Sequence, residues 1–318
     1  MKILVIRFSS IGDIVLTTPV LRALKKQLGA EVHFLTKKQF AAILAPNPFI
    51  SKILEFDQNL RQLRTAIRAE QYDRIIDLHH NLRSWLITWG MFTPTKRFDK
   101  LNWRKWWLVR WKKNFLPKVH IVDRYLATVK ELGIKADGKG LDFFISPEDQ
   151  EVSGLPKTPY LALVVGAAHA TKRIPMLILK KIVLLSPISV VVLGGKEDTA
   201  TGLELAKWMP EKVVNFCGKL TLGQSAFALQ SARKVITPDT GLMHIAAAFD
   251  REIISIWGST VPAFGMTPYQ TSKSSVVEVE NLDCRPCSKI GFSDCPKGHF
   301  KCMRGLDLQR IGQLINQS

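Results

Sequence analysis

The chain has 318 residues, 46% of them hydrophobic, and carries 45 Lys and Arg against 27 Asp and Glu, a formal charge of +18. That length suggests two domains of about 150 residues each, and no stretch approaches the roughly 20 apolar residues a bilayer span requires. The short apolar start leads into a charged, glycine-containing loop rather than a cleavable leader, so a soluble cytoplasmic protein is expected, with a surface that favours anionic partners: nucleic acid, anionic lipid or phosphorylated substrates.

Residues 2–6 (KILVI) read as a buried strand. It runs into Arg7-Phe8-Ser9-Ser10-Ile11-Gly12-Asp13, and an apolar helical pattern follows to residue 28. In open α/β sheets ligands bind beyond the carboxyl ends of strands. Asp13 falls there, where a carboxylate can take a proton from a substrate hydroxyl. The same residue also reads as a helix cap. Further strands are expected over 31–35, 52–56 and 74–78, with helices over 13–28, 38–44, 59–69 and 119–132. Strands separated by helices of this length form a parallel sheet.

Residues 153–159 (SGLPKTP) are rich in turn formers and read as a linker. The alternation restarts with strands over 160–165, 189–193, 234–237 and 253–257, and helices over 175–185, 199–209, 222–231, 242–249 and 304–316. Three loops at strand ends carry chemistry. Gly166-Ala167-Ala168-His169-Ala170-Thr171-Lys172-Arg173 brings cations to a chain of small residues. Gly194-Gly195-Lys196-Glu197 offers an acid suited to ribose hydroxyls. Pro238-Asp239-Thr240-Gly241-Leu242-Met243-His244 opens a helix whose first N–H groups form a natural anion site. Each also has a plainer reading, as a basic loop, an acidic first turn, or a capped helix with a core histidine. Neither Gly-x-Gly-x-x-Gly nor a Walker sequence occurs in these loops, which argues against a dinucleotide dehydrogenase or a P-loop ATPase.

Together, residues 7–13, 166–175 and 239–244, with His120-Ile121-Val122-Asp123-Arg124-Tyr125 between them, resemble glycosyltransferase family 9, the ADP-heptose:lipopolysaccharide heptosyltransferases. The resemblance covers nearly the whole chain. It implies an α/β protein of the GT-B fold, with two Rossmann-like domains whose parallel sheets face a cleft: an acceptor domain over 1–152, a nucleotide-sugar domain over 158–302, and a terminal helix over 303–318 returning toward the first. It implies inverting transfer of heptose from ADP-heptose onto the inner core of lipopolysaccharide, with no cofactor needed for catalysis. By position, Asp13 would be the general base, and Lys172 would stabilise the departing ADP. Thr240 and Gly241 would hold the diphosphate, Asp239 would contact sugar hydroxyls, His244 would support the site, and Glu197 would bind ribose. Ser9, Ser10, Gly12 and Thr171 complete the binding set. The partners implied are ADP-heptose and a lipid A–Kdo or partly built core acceptor, met by a monomer at the cytoplasmic face of the inner membrane, without nucleic acid. The rival readings are a GT-B transferase for another sugar nucleotide, and a basic protein that binds nucleic acid or anionic lipid.

Between residues 96 and 113 eight basic residues face one acid, and four of the eight tryptophans lie in the same stretch. Arg104, Lys105, Trp106 and Trp107 are therefore expected to contact the acceptor or the membrane surface. Four of five cysteines cluster late, at Cys284, Cys287, Cys295 and Cys302. A C-x2-C pair is a common half of a zinc site, whereas disulfides are not expected in a reducing compartment. A structural zinc and a set of unligated thiols both remain open.

Overall fold

The protein is described by a computed structural model covering residues 1–57 and 59–317. Contacts divide it into two compact units. The first comprises Met1–Lys100 with Val119–Phe144, and the second Leu101–Lys118 with Ile145–Ser318. The last residue of the expected terminal segment, 318, lies outside the described residues.

In the first unit, strands β1 (Lys2–Ile6), β2 (Glu31–Lys37), β3 (Lys52–Phe56), β4 (Arg74–Asp77) and β5 (Thr95–Arg97) form a parallel sheet in the order β3-β2-β1-β4-β5. Ile3, Leu4, Val5 and Ile6 are all fully buried. A strand covered on both faces needs an unbroken apolar run rather than an alternating one. The expected helix over 13–28 is two helices, Ile11–Val15 and Thr18–Leu28. Pro19 cannot donate to the preceding turn and would crowd a carbonyl four residues back. Thr17 and Thr18 fill the break by donating their hydroxyls to the Ile14 and Val15 carbonyls.

In the second unit, β6 (Leu161–Val164), β7 (Val190–Leu193), β8 (Val213–Asn215), β9 (Lys234–Pro238), β10 (Glu252–Trp257) and β11 (Ser274–Glu278) form a parallel sheet in the order β11-β10-β9-β6-β7-β8. The edge strands β5, β8 and β11 were not expected from sequence. Two of them have three residues each, and β11 is largely exposed along one side, so none carries the long apolar run that marks an inner strand.

The helix Leu308–Asn316 buries Ile311, Leu314 and Ile315 in the core of the second unit, against the helix Met176–Leu185. The tryptophan-rich helix Asn102–Trp111 also belongs to this unit. In the first unit Arg22, 2% exposed, ties the Thr18–Leu28 helix to the segment that follows residue 136. It pairs with Asp137 at 2.7 Å and with Asp142, and donates to the Gly140 carbonyl at 2.8 Å. Replacing Arg22 by Ala leaves those acids without their cation and is expected to cost about 3 kcal/mol, read as a lower urea midpoint. An unchanged midpoint would mean that the 137–142 segment is held by other contacts.

Candidate functional site

Both sheets reverse direction at one point in their order. In the first unit the reversal lies between β1 and β4, and loops leaving such a pair open a crevice at the carboxyl end of the sheet. Arg7 stands at the end of β1, only 7% exposed. Its guanidinium donates to Ser9 O at 2.8 Å, Leu78 O at 2.6 Å and Tyr125 Oη at 2.9 Å, and pairs with Asp13 Oδ1 at 2.7 Å. One side chain thus joins the loop after β1, the end of β4 and the helix Ile121–Leu126.

Asp13 takes part in capping: Ser10 is the N-cap of the helix Ile11–Val15, and Asp13 is the acidic member of its capping box. Its Oδ2 accepts from Ser10 N at 3.2 Å and from Ser10 Oγ at 3.1 Å, while its Oδ1 faces Arg7. Burial alone would raise this carboxyl, but the Arg7 charge and the Ser10 donors outweigh it and hold Asp13 below the usual carboxylate range. The side chain keeps 20% of its surface exposed, so the ionised group remains reachable. Ser9 contributes its carbonyl to Arg7. Gly12 is buried within the short helix and accepts from Leu16 N. Asp77, at the end of β4, shapes the next turn by accepting from His79 N, His80 N and Ser84 Oγ at 2.7–3.0 Å. The His79 ring lies 4.8 Å from that of Phe8, and burial together with Arg7 pushes its pKa down to about 3, so it is neutral at physiological pH. Burial raises the Tyr125 hydroxyl, which stays a phenol.

In the second unit the reversal lies between β6 and β9, and the residues at those strand ends meet. Lys172 Nζ is 2.6 Å from Asp239 Oδ2, and Thr260 Oγ1 donates to the same oxygen at 2.8 Å. Thr171, 3% exposed, accepts from Ser259 Oγ at 2.9 Å and from Phe292 N at 2.8 Å. Thr240 is the extended N-cap of the helix Gly241–Ala248, and its side chain makes no capping hydrogen bond. Met243 N bonds the Thr240 carbonyl at 3.2 Å, so the N–H groups that look outward at the positive end of the helix dipole are those of Gly241 and Leu242. His244 is buried one turn into that helix.

Of the two acids after β7, Glu197 is exposed beside Gly195. Its neighbour Asp198 is buried, accepts from Gly195 N at 2.9 Å and lies 3.6 Å from Arg173. A Cβ on Gly166 would come within 2.2 Å of the Asp198 carboxylate, which is why the loop after β6 starts with glycine.

Arg285 was not singled out in the sequence. It is 9% exposed and donates to the carbonyls of Gly258 (2.6 Å), Val279 (2.6 Å) and Thr260 (2.9 Å), and pairs with Glu278 at 2.7 Å. Cys287 N bonds Ser259 O at 3.0 Å. The Cys284–Cys287 turn therefore sets Ser259 and Thr260, which hold Thr171 and Asp239. None of the cysteines forms a disulfide. Burial pushes the Cys302 thiol up to about 11, helped by the neighbouring Cys287, Cys284 and Cys295. Among the described residues no three His, Cys, Asp or Glu side chains are grouped as a metal site.

The helix Asn102–Trp111 sits against these loops. Lys112 Nζ donates to Pro286 O at 2.7 Å, and Lys105 Nζ lies 5.9 Å from the Phe264 ring centroid. Trp107 packs edge-on against Trp103 and Trp106, and Arg104 donates to Phe115 O at 3.3 Å.

A profile of glycosyltransferase family 9 (heptosyltransferase) matches residues 60–294. Lipooligosaccharide heptosyltransferase 2 of Haemophilus influenzae is 26% identical over 309 residues, covering 88% of this chain and 89% of that protein. The family 9 glycosyltransferase of Veillonella parvula superposes with a TM-score of 0.79 at 21% identity, over 100% of this chain and 98% of that one. An E. coli heptosyltransferase solved with ADP-2-deoxy-2-fluoro heptose gives 0.69 at 20% identity, over 99% of both chains.

Removing the Arg7 charge leaves only the Ser10 donors to oppose burial at Asp13. In Arg7→Met the Asp13 carboxyl is expected to titrate at higher pH than in the parent, followed by carbon-detected NMR. An unmoved titration would mean that Arg7 does not set the charge state of this acid.

Proposed function

The chain belongs to glycosyltransferase family 9, and on that premise we propose that it moves heptose from ADP-heptose to the inner core of lipopolysaccharide, with inversion at the anomeric carbon. The observation that supports this reading is what each unit carries at its own strand reversal. One presents an ionised, reachable acid, and the other a cation beside the start of a helix. Direct displacement at an anomeric carbon needs a base for the incoming hydroxyl and charge to stabilise the leaving diphosphate.

In this reading Asp13 accepts the proton of the acceptor hydroxyl as the new C–O bond forms. Arg7 and Ser10 keep it anionic and aimed. A carboxylate held this low is a weak base, so it serves by taking the proton late, when the attacking oxygen has already become acidic. Lys172 and the first N–H groups of the Gly241–Ala248 helix receive the charge that builds on ADP as the C–O bond breaks. These donors supply positive charge without a metal. Lys172 and Asp239 act as one unit, because they are bonded to each other, so the diphosphate draws Lys172 partly away and leaves Asp239, steadied by Thr260, for sugar hydroxyls. Thr171 sets the turn that carries Lys172, and His244 fills the space beneath the helix start. Glu197, exposed after β7, binds the ribose in this reading.

The acceptor is proposed to be lipid A–Kdo or a partly built core. The enzyme then works as a peripheral protein at the cytoplasmic face of the inner membrane. In keeping with that, no helix among the described residues is long and apolar enough to cross a membrane, and the +18 charge favours an anionic lipid surface.

Asp13→Asn is expected to lower kcat by about 10²–10⁴ while leaving ADP-heptose binding intact by calorimetry; near-parental turnover would remove the base assignment. Because Asp13 titrates low, kcat/KM should stay flat from neutral pH down to the ordinary carboxylate range and fall only below it. A limb near pH 6–7 would point to a different base. Lys172→Ala should lower kcat by about 10²–10³, and a panel of ADP-, UDP- and GDP-sugars should give turnover with ADP-heptose alone.

A further inference from the structure

The first unit carries an apolar ridge that its site does not use. In the helix Leu82–Thr88 and the turn after it, Leu82 is 73% exposed, Trp85 42%, Trp89 59% and Phe92 fully exposed. Leu82, Trp85 and Trp89 recur at i, i+3 and i+7, so they share one face. The Trp85 and Trp89 rings stack at 5.9 Å. Monomeric soluble proteins rarely expose contiguous large side chains in this way, and such a patch marks an interaction surface.

The charge beside the ridge is sorted as well. The neighbouring helix Leu60–Ala69 places Arg61, Arg64 and Arg68 at the same i, i+3, i+7 spacing. Arg64 donates to Leu86 O at 3.0 Å and Trp89 O at 2.7 Å, and Arg68 reaches Gly90 O at 3.4 Å, so this basic row lies directly against the base of the ridge. Arg83 projects from the ridge helix itself, its guanidinium 5.4 Å from the Phe56 ring centroid. No Asp or Glu occurs between Asp77 and Asp99, nor within residues 60–69. Stacked tryptophans with flanking arginines and no acid are what the headgroup region of an anionic bilayer selects: aromatic rings enter the interface while guanidinium groups meet phosphates. A protein partner would face the same apolar area, but nothing in its recognition demands uniformly positive flanks. The helix Asn102–Trp111 also exposes Trp103, Trp106 and Trp111, but it interleaves Arg104, Lys105 and Arg110 among them, so its charge is not sorted to the flank of an apolar row.

We infer that Leu82, Trp85, Trp89 and Phe92, with Arg61 and Arg83 beside them, dock the first unit on an anionic lipid surface. This rests on the lipid-borne acceptor proposed above, and it places membrane contact on a different element from the tryptophan-rich helix.

The test is co-sedimentation of the full chain with phosphatidylglycerol/phosphatidylethanolamine vesicles and with phosphatidylcholine vesicles. The parent is expected to partition onto the first and not the second, with binding that weakens as salt is raised. Trp85→Ala/Trp89→Ala/Phe92→Ser should abolish partition. Arg61→Ala and Arg83→Ala should each weaken it about fivefold, from about 1 kcal/mol per surface arginine. Trp103→Ala/Trp106→Ala should leave it unchanged. Absence of parental binding, equal binding by the ridge variant, loss confined to the Trp103/Trp106 variant, or a ridge variant that instead dissolves a dimer in sedimentation equilibrium would each overturn the inference. Transfer to a water-soluble core-sugar acceptor separates it from the functional reading. The ridge and arginine variants should retain that activity, whereas its absence in the parent would count against the transferase reading and not against the surface.

Discussion

A guanidinium that has lost almost all its water must find its hydrogen bonds inside the protein, and Arg7 finds them on three separate elements. The Ser9 carbonyl, the Leu78 carbonyl, the Tyr125 hydroxyl and the Asp13 carboxylate together exhaust most of its donors. The position of the acid is therefore not a property of its own five-residue helix, which is too short to be rigid alone. It is set by the sheet, through the ends of β1 and β4, and by the buried helix bearing Tyr125. The second unit repeats the device. Arg285 gathers the carbonyls of Gly258, Thr260 and Val279 and so fixes the hydroxyls that hold Thr171 and Asp239. In each unit a buried arginine converts loop backbone into a defined surface.

The two sheets share one plan. Renumbered within its unit, the second runs 3-2-1-4-5-6 and the first 3-2-1-4-5. Each therefore reverses between its first and fourth strand, and the polar groups that matter leave those two strands in both cases. Parallel strands buried on both faces offer no polar chemistry of their own, so function collects where they end. The shared plan explains why two chemically opposite sites, an acid kept anionic and a cation kept near a helix start, occupy equivalent places.

Much of this was legible from residues alone. Inner strands announced themselves as unbroken apolar runs, and the loops after β1, β6, β7 and β9 stood out because small or charged residues follow such runs directly. Edge strands β5, β8 and β11 escaped because a short, half-exposed strand has no distinctive period. The split at Thr17 escaped because apolar spacing continues through Pro19. At the sites, Asp13, Lys172, Asp239 and Thr240 were visible by position, but their partners were not. Arg7 had a signal, a cation at the last turn of an apolar strand. Thr260 and Arg285 had none, since their roles depend on where β10 and the cysteine turn come together. Glu197 and Asp198 show the finer limit: adjacency in sequence did not reveal which acid is buried to brace the loop and which stays exposed. The late cysteines illustrate the converse, a spacing familiar from zinc sites whose main traceable structural effect runs through backbone atoms.

The bond between Lys172 and Asp239 gives the second unit a threshold. The cation has an anion of the protein itself at 2.6 Å, so in the proposed role a guest competes with an internal carboxylate rather than with water. A singly charged anion gains little from that exchange. A group bearing two or more negative charges, able to engage Lys172 and the helix start together, gains from both. In the proposed role, this internal ion pair favours guests of higher charge over chloride and small carboxylates.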